Sequence, residues 1–234
     1  MKHIVFVTAL ALGLAVGGQV VWAQDYEKGY EAYITGDYAT ALQELRPLAE
    51  QGNADAQTLL GYMYFTGQGV PQDYAEGGKW YRLGAEQGNA DAMGLLGGMY
   101  FKGEGVLQDY AEGAKWYRLG AEQGHVPSQV MLGGYYVKGQ GVPQDYAKAV
   151  KWLREAAEQG NEQAMGMMGV RYTLGQGVPQ DNAYAHMWYN IASSLGNEST
   201  RELRDKTAVF MTPEEVAEAQ QLARECVAKN YKGC

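Results

Sequence analysis

Residues Ala54–Asn89 read ADAQTLLGYMYFTGQGVPQDYAEGGKWYRLGAEQGN, and the same 36-residue pattern returns at Ala90, Val126 and Glu162 without insertion or deletion. Gly61, Gly97, Gly133 and Gly169 share one register. Tyr64, Tyr100, Tyr136 and Tyr172 share another, and Trp80, Trp116, Trp152 and Trp188 a third. A strict period of this length marks an array whose units bury their apolar faces only against their neighbours. The expectation is one elongated solenoid without an internal linker, a shape suited to binding along its length.

Each unit reads as two helices. Ala56, Leu59, Leu60, Met63 and Tyr64 follow the i, i+3, i+4, i+7 spacing of an amphipathic helix. The run GQGVPQD after it holds Gly67, Gly69 and Pro71, residues that turn the chain. Asp73 stands where an N-cap belongs, and Glu76 is placed to complete a capping box. Asp109 with Glu112 repeats this, whereas Asp145 and Asp181 keep the cap alone. The second helix is expected from Tyr74 to Gln87, with Gly77, Gly113, Ala149 and Ala185 allowing close backbone approach. Gly88 ends it, and Asn89 caps the next unit's first helix. The Gly-Asn joint recurs at Gly160-Asn161 and Gly196-Asn197, with His125 in the second copy. Glycines such as Gly77, Gly78 and Gly84 each cost a helix roughly 0.5–1 kcal/mol relative to Ala. Stability must therefore come from stacking.

The runs L-G-x-x-Y-x-x-G-x-G-V-P-Q-D-Y-A (Leu60–Ala75) and K-W-Y-R-L-G-A-E-Q-G-N (Lys79–Asn89) resemble those of the Sel-one-like repeat (SLR) family, relatives of the tetratricopeptide repeats. The resemblance covers Ala54–Asn197 and implies an all-α, right-handed superhelical solenoid of antiparallel helix pairs that assembles protein complexes. It brings no catalytic residue. Four repeats are expected at 54–89, 90–125, 126–161 and 162–197. Residues 24–53 look like a divergent first pair: Gly36, Asp37, Tyr38, Ala39 and Ala41 match, Glu44 replaces the Trp, and Pro47 interrupts the second helix. Residues 198–234 are expected to form C-terminal capping helices. There Thr212, Pro213 and Glu215 start a helix that lines up Val216, Ala219, Ala223 and Cys226.

Lys2 and His3 precede an apolar run ending in Val21-Trp22-Ala23. Residues 1–23 therefore read as a signal peptide cut after Ala23, too short in its apolar part for a membrane span. The protein is expected to be periplasmic or secreted, with no stable membrane insertion after cleavage. The net charge is −8, and more negative without the leader, whose only charged side chain is Lys2. Nucleic acid is thus excluded as a partner. The two cysteines, Cys226 and Cys234, are expected to form a disulfide in an exported chain, with an intermolecular bridge through Cys234 as the alternative.

No cofactor and no metal are expected. The repeated Gly-x-Gly at Gly67, Gly103, Gly139 and Gly175 follows a helix and reads as a turn. His125 and His186 have no Cys or acidic residue at metal-ligand spacing. Some cysteine-rich secreted members of the resembled family are linked to penicillin binding and β-lactam hydrolysis. Here the repeats lack cysteine pairs, and Ser128, Ser193, Ser194 and Ser199 are followed three places later by Met131, Gly196, Asn197 and Glu202. No Ser-x-x-Lys nucleophile exists, so the reading is not an enzyme. The remaining candidate is a groove. By analogy with related arrays, the first helices line a concave face, with Asp55, Thr58, Tyr62, Phe65, Asp91, Phe101, Val130, Val137 and Val170 turned outward into it. Aromatic anchors with acidic neighbours suit a protein or peptide with some positive charge. The leading expectation is an exported, monomeric scaffold or adaptor. The alternatives are a surface-exposed or secreted factor engaging host cells, and a cell-wall or β-lactam-binding hydrolase.

Overall fold

The structure is a computed structural model that describes residues 22–234. Apart from Trp22 and Ala23, which open the first helix, the expected leader lies outside the described residues. The described residues form helices only: α1 (Trp22–Thr35), α2 (Tyr38–Glu50), α3 (Ala54–Thr66), α4 (Tyr74–Glu86), α5 (Ala90–Lys102), α6 (Tyr110–Glu122), α7 (Val126–Lys138), α8 (Tyr146–Ala157), α9 (Glu162–Leu174), α10 (Asn182–Ser194), α11 (Glu198–Ala208) and α12 (Pro213–Ala228). Helices α1 to α10 pack as consecutive pairs, the second helix of each pair packs on the first helix of the next, and α11 and α12 both pack on α10. The result is a solenoid whose core runs along its length in successive clusters.

Each repeated residue has a partner. The residue after Leu60 is Gly because the Tyr81 ring lies over it: a Cβ there would sit 2.7 Å from Tyr81 Cδ1. Gly97 meets Tyr117, Gly133 meets Leu153 and Gly169 meets Tyr189 in the same way. From the other helix, a Cβ on Gly77 would come 2.9 Å from the carbonyl oxygen of Gly61. The repeated Tyr is explained by a latch between pairs. On α2, α6 and α8 an Arg donates to the Tyr hydroxyl 18 residues on: Arg46 to Tyr64 at 2.9 Å, Arg118 to Tyr136 at 3.0 Å and Arg154 to Tyr172 at 3.1 Å. Arg82 and Tyr100 form the same bond.

The loops are built to the same rule. Gly67, Gly103, Gly139 and Gly175 end the first helices in the left-handed region, φ 74°, 74°, 68° and 63°. Gln72, Gln108 and Gln144 donate to the carbonyl oxygens of Phe65, Phe101 and Val137, which the ended helix leaves unpaired. Asp73 accepts from the Glu76 N–H at 2.9 Å. The expected capping box is not completed, because the Glu76 carboxylate turns to Lys79 at 2.7 Å instead.

Pro47 also departs from expectation. It lies inside α2, which continues to Glu50. Gln43, whose carbonyl loses its donor, and Pro47 itself are both exposed, while Leu48 and Ala49 are buried. The exposed position leaves the freed carbonyl open to solvent, and burial of Leu48 and Ala49 holds the last turn. Asn197 precedes α11 without a side-chain cap bond.

At the C-terminus, Thr212 and Glu215 form a full capping box. Helix α12 buries Ala219, Ala223 and Cys226 and packs on α10. Cys226 and Cys234 are paired, with Cα atoms 5.6 Å apart. The intervening turn brings Tyr231 against Gly160, and the Gly233 N–H donates to Glu158 at 3.2 Å.

Candidate functional site

The first helices α1, α3, α5, α7 and α9 share one face of the array. On it Leu59, Leu95, Met131 and Met167 occupy equivalent positions and form a half-buried apolar lane. Three cavities lie along this lane. The first, about 260 Å³, is lined by Tyr26, Tyr33, Asp55, Thr58, Leu59, Tyr62, Asn89, Asp91 and Leu95. The second, about 330 Å³, shares Tyr62, Asp91 and Leu95 and extends over Tyr117, His125, Pro127 and Met131. The third, about 160 Å³, runs from Phe101 and Met131 past Gly134 and Lys138 to Met167.

The candidates named from the sequence separate into two groups. Asp55, Thr58, Tyr62 and Asp91 come together at the first two cavities. Asp55 accepts from Asn89 Nδ2 at 2.8 Å, and Tyr62 stands edge-on to Tyr33 at 6.3 Å. The Thr58 hydroxyl is spent within its helix, donating to the Ala54 carbonyl at 2.7 Å. Phe101 and Val130 touch the third cavity, yet Val130 is only 6% exposed and belongs to its wall. Phe101 is wedged between Tyr110 and Tyr135, at 5.3 and 5.4 Å. Phe65 packs on Tyr74 at 4.9 Å, and Val137 and Val170 are half-buried against the core. For Phe65, Phe101 and Val137, which share one register, the reason is rotation. Three residues beyond Tyr62, the helix has turned about 60° short of a full circle, which swings position 65 toward the second helix.

Of the lane Leu59, Leu95, Met131, Met167, only Leu59 is named from the sequence for its place in an amphipathic helix. The lane's signal was present as a strictly repeated apolar position beside a variable one. Tyr26 and Tyr33 lie in the divergent first pair and had no register to mark them.

His125 shows a contact no spacing announces. It takes the N-cap position of α7 without a capping bond. Its Nε2 lies 3.1 Å from Asp91 Oδ1 and its Nδ1 2.7 Å from Ser128 Oγ. Burial lowers its pKa below the usual histidine value, and Asp91 opposes that only in part. The neutral ring fits both bonds: Nε2–H donates to Asp91, and Nδ1 accepts from the Ser128 hydroxyl. Asp, His and Ser in a row resemble a hydrolytic triad. Ser128, however, is fully buried, and a Cβ on Gly120 would sit 2.7 Å from its Oγ. A hydroxyl so enclosed has no approach for a substrate. The row is a clasp between α5 and α7. No group of three or more metal-ligating side chains occurs among the described residues, and no described helix is long and apolar enough to cross a membrane.

A family model described as the Sel1 repeat matches residues 54–89, 90–125, 126–161 and 162–197. Among solved structures, the chain is similar to a protective antigen of uropathogenic Escherichia coli strains displaying an SLR fold, at 34% identity and TM-score 0.78 over 91% of this chain. It spans 50% of that protein's length. A Sel1 repeat protein from Oxalobacter formigenes is 33% identical with TM-score 0.70, over 86% of this chain and 75% of the other. A Klebsiella pneumoniae protein at 21% identity, TM-score 0.52, covers 80% of this chain and 93% of its own, and shares the fold. No curated protein sequence matches.

Proposed function

The chain belongs to the Sel1 repeat family, whose arrays scaffold protein interactions, and from that premise we propose that it is an exported adaptor binding a protein or peptide partner along the first-helix face. The observation that carries this reading is the continuous lane of Leu59, Leu95, Met131 and Met167 with aromatic and acidic side chains beside it. An amphipathic helix or extended segment would bury its apolar side chains over the lane. Export is supported by the leader-like residues 1–23 and by the Cys226–Cys234 pair, which suits an oxidising compartment. The adaptor acts as a monomer, free of the membrane once the leader is removed.

Capture of the crosslinked partner tests the reading. Tyr62 is 37% exposed, so Tyr62→Ala should leave the melt nearly unchanged, within about 0.5 kcal/mol, and should still weaken capture. Capture unaffected by Tyr62→Ala would move the binding face elsewhere.

A second reading, a surface-exposed or released factor that meets host cells, draws on the likeness to the Escherichia coli protective antigen. Cell fractionation separates the two. Protein in the periplasmic fraction supports the adaptor, and protein on intact cells or in the medium supports the host-facing factor.

A further inference from the structure

The trough at the N-terminal end of the groove has a definite chemistry. Its first lobe, about 260 Å³, is walled by Tyr26, Tyr33 and Tyr62 and holds the carboxylates of Asp55 and Asp91. Burial first, and the Asp55 carboxylate next, push the Tyr26 hydroxyl up to about 12, with Tyr30 and Asp91 adding to the effect. The lobe therefore feels both negative charges. The hydrogen-bond partners of the carboxylates do not cancel them. Asp55 is met by the Asn89 amide and Asp91 by the neutral His125 ring. Carboxylates above aromatic walls attract a cation by charge and by the ring quadrupole together.

The second lobe differs. It shares Tyr62, Asp91 and Leu95 with the first and continues over Pro127 and Met131. Beyond the Asp91–His125 edge its lining is mainly apolar, with Leu95, Pro127, Met131 and the Tyr117 ring. The two lobes thus pose adjacent and unlike demands.

We propose that this two-lobed trough recognises a peptide segment of a protein partner in which a basic side chain lies beside an apolar one: the cation between Tyr26, Tyr33 and Tyr62 under Asp55 and Asp91, the apolar group over Leu95 and Met131. The proposal rests on the groove reading above and adds the chemistry of its occupant. Charge complementarity selects it. The chain carries a net charge of −8, and an acidic segment would meet Asp55 and Asp91 with repulsion. The rings also grip the aliphatic stem of a lysine or arginine, so the contact survives where a bare ion would be screened.

The test uses the mature chain and a fluorescently labelled glycine–serine peptide holding one lysine–leucine pair, read by anisotropy. Companion peptides replace the lysine with Nε-acetyl-lysine or glutamate, or the leucine with serine. The expected result is saturable binding of the lysine–leucine peptide, about tenfold weaker on acetylation, on loss of the leucine, or in the Asp55→Asn/Asp91→Asn protein. Raising salt from about 0.05 to 0.5 M should weaken the lysine peptide and spare the acetylated one, a check that needs no variant. Equal binding of the lysine and acetyl-lysine peptides overturns the proposal, as does binding indifferent to both carboxylates and salt. If none of the peptides saturates at millimolar concentration while a crosslinker at Tyr62 still captures a partner, the groove reading stands and the basic–apolar rule falls.

Discussion

At the scale of single residues, glycines divide by what a methyl group would strike. Gly141 has φ 68°, and its Cβ would lie 2.0 Å from the Tyr110 carbonyl oxygen. Gly141→Ala is therefore strained twice over and should cost more than about 1 kcal/mol. Gly134 lies in a helix facing the groove, where the nearest atom to a new Cβ is Met167 Cε at 4.0 Å. Gly134→Ala should stabilise by about 0.5–1 kcal/mol. Chemical denaturation of both variants checks the pair, and a Gly134→Ala protein that melts early would mean the groove is closed there. Both glycines are plain in the sequence; only the distances tell them apart. The histidines give a second prediction. Burial lowers the pKa of His125 and of His186. Each folded pKa lies below the unfolded value of about 6.5, so the unfolded chain takes up protons first on acidification. Stability should be full above about pH 6.5 and fall as the pH drops toward the folded values. His186→Asn should flatten part of that slope in denaturation curves, and an unchanged slope would assign the loss to other groups. The His125 contact with Asp91 was illegible in sequence, because 34 residues separate partners that only stacking brings together.

Among elements, the 36-residue period made the helix pairs readable almost to the residue, since Gly67 and Asp73 mark one boundary and Gly88 and Asn89 the other. Pro47 misled because a helix tolerates a proline when the freed carbonyl faces water. The repeated Trp and Tyr were visible as a pattern, but their partners were not. Trp188 is fully buried, Trp152 is 8% exposed and Trp116 is half-buried. Trp188→Ala should therefore cost about 3–5 kcal/mol and Trp116→Ala less. Tyr136→Phe removes only the hydroxyl that Arg118 meets at 3.0 Å and should cost about 0.5–1.5 kcal/mol. Thermal unfolding followed by circular dichroism ranks the three, and equal losses would show that ring burial is not what sets the cost. At the far end, closing the loop between Cys226 and Cys234 should contribute roughly 2–3 kcal/mol in the chain-entropy model. Reduction should loosen α12 ahead of the repeats, seen as earlier amide exchange in residues 213–228. Uniform exchange along the chain would mean that the tail is not a separate unit.

For the whole molecule, the stack makes two things at once: a core shared between neighbours and a face that no neighbour covers. The sequence reading named Asp55, Tyr62 and Asp91, variable residues that stand out against the repeat, and these lie together along the first two cavities. Phe65 and Val137 share a register that helical rotation turns toward the second helix, whereas Val130 and Val170 share the registers of Thr58 and Tyr62 and are held instead in the wall and against the core. The same reading took Leu59 for packing and passed over Leu95, Met131 and Met167, because a strictly repeated apolar residue looks like core, whereas these four stay half-buried along the cavities. The central claim is that this face, and not the loops or the outer surface, holds the partner. The direct measurement is in-cell photocrosslinking from two positions in turn, Tyr62 in the groove and Leu107, which is 90% exposed in the loop before α6. The account predicts a discrete crosslinked band from position 62, identified by mass spectrometry, and none from position 107. The same band from position 107 with nothing at position 62 would contradict it.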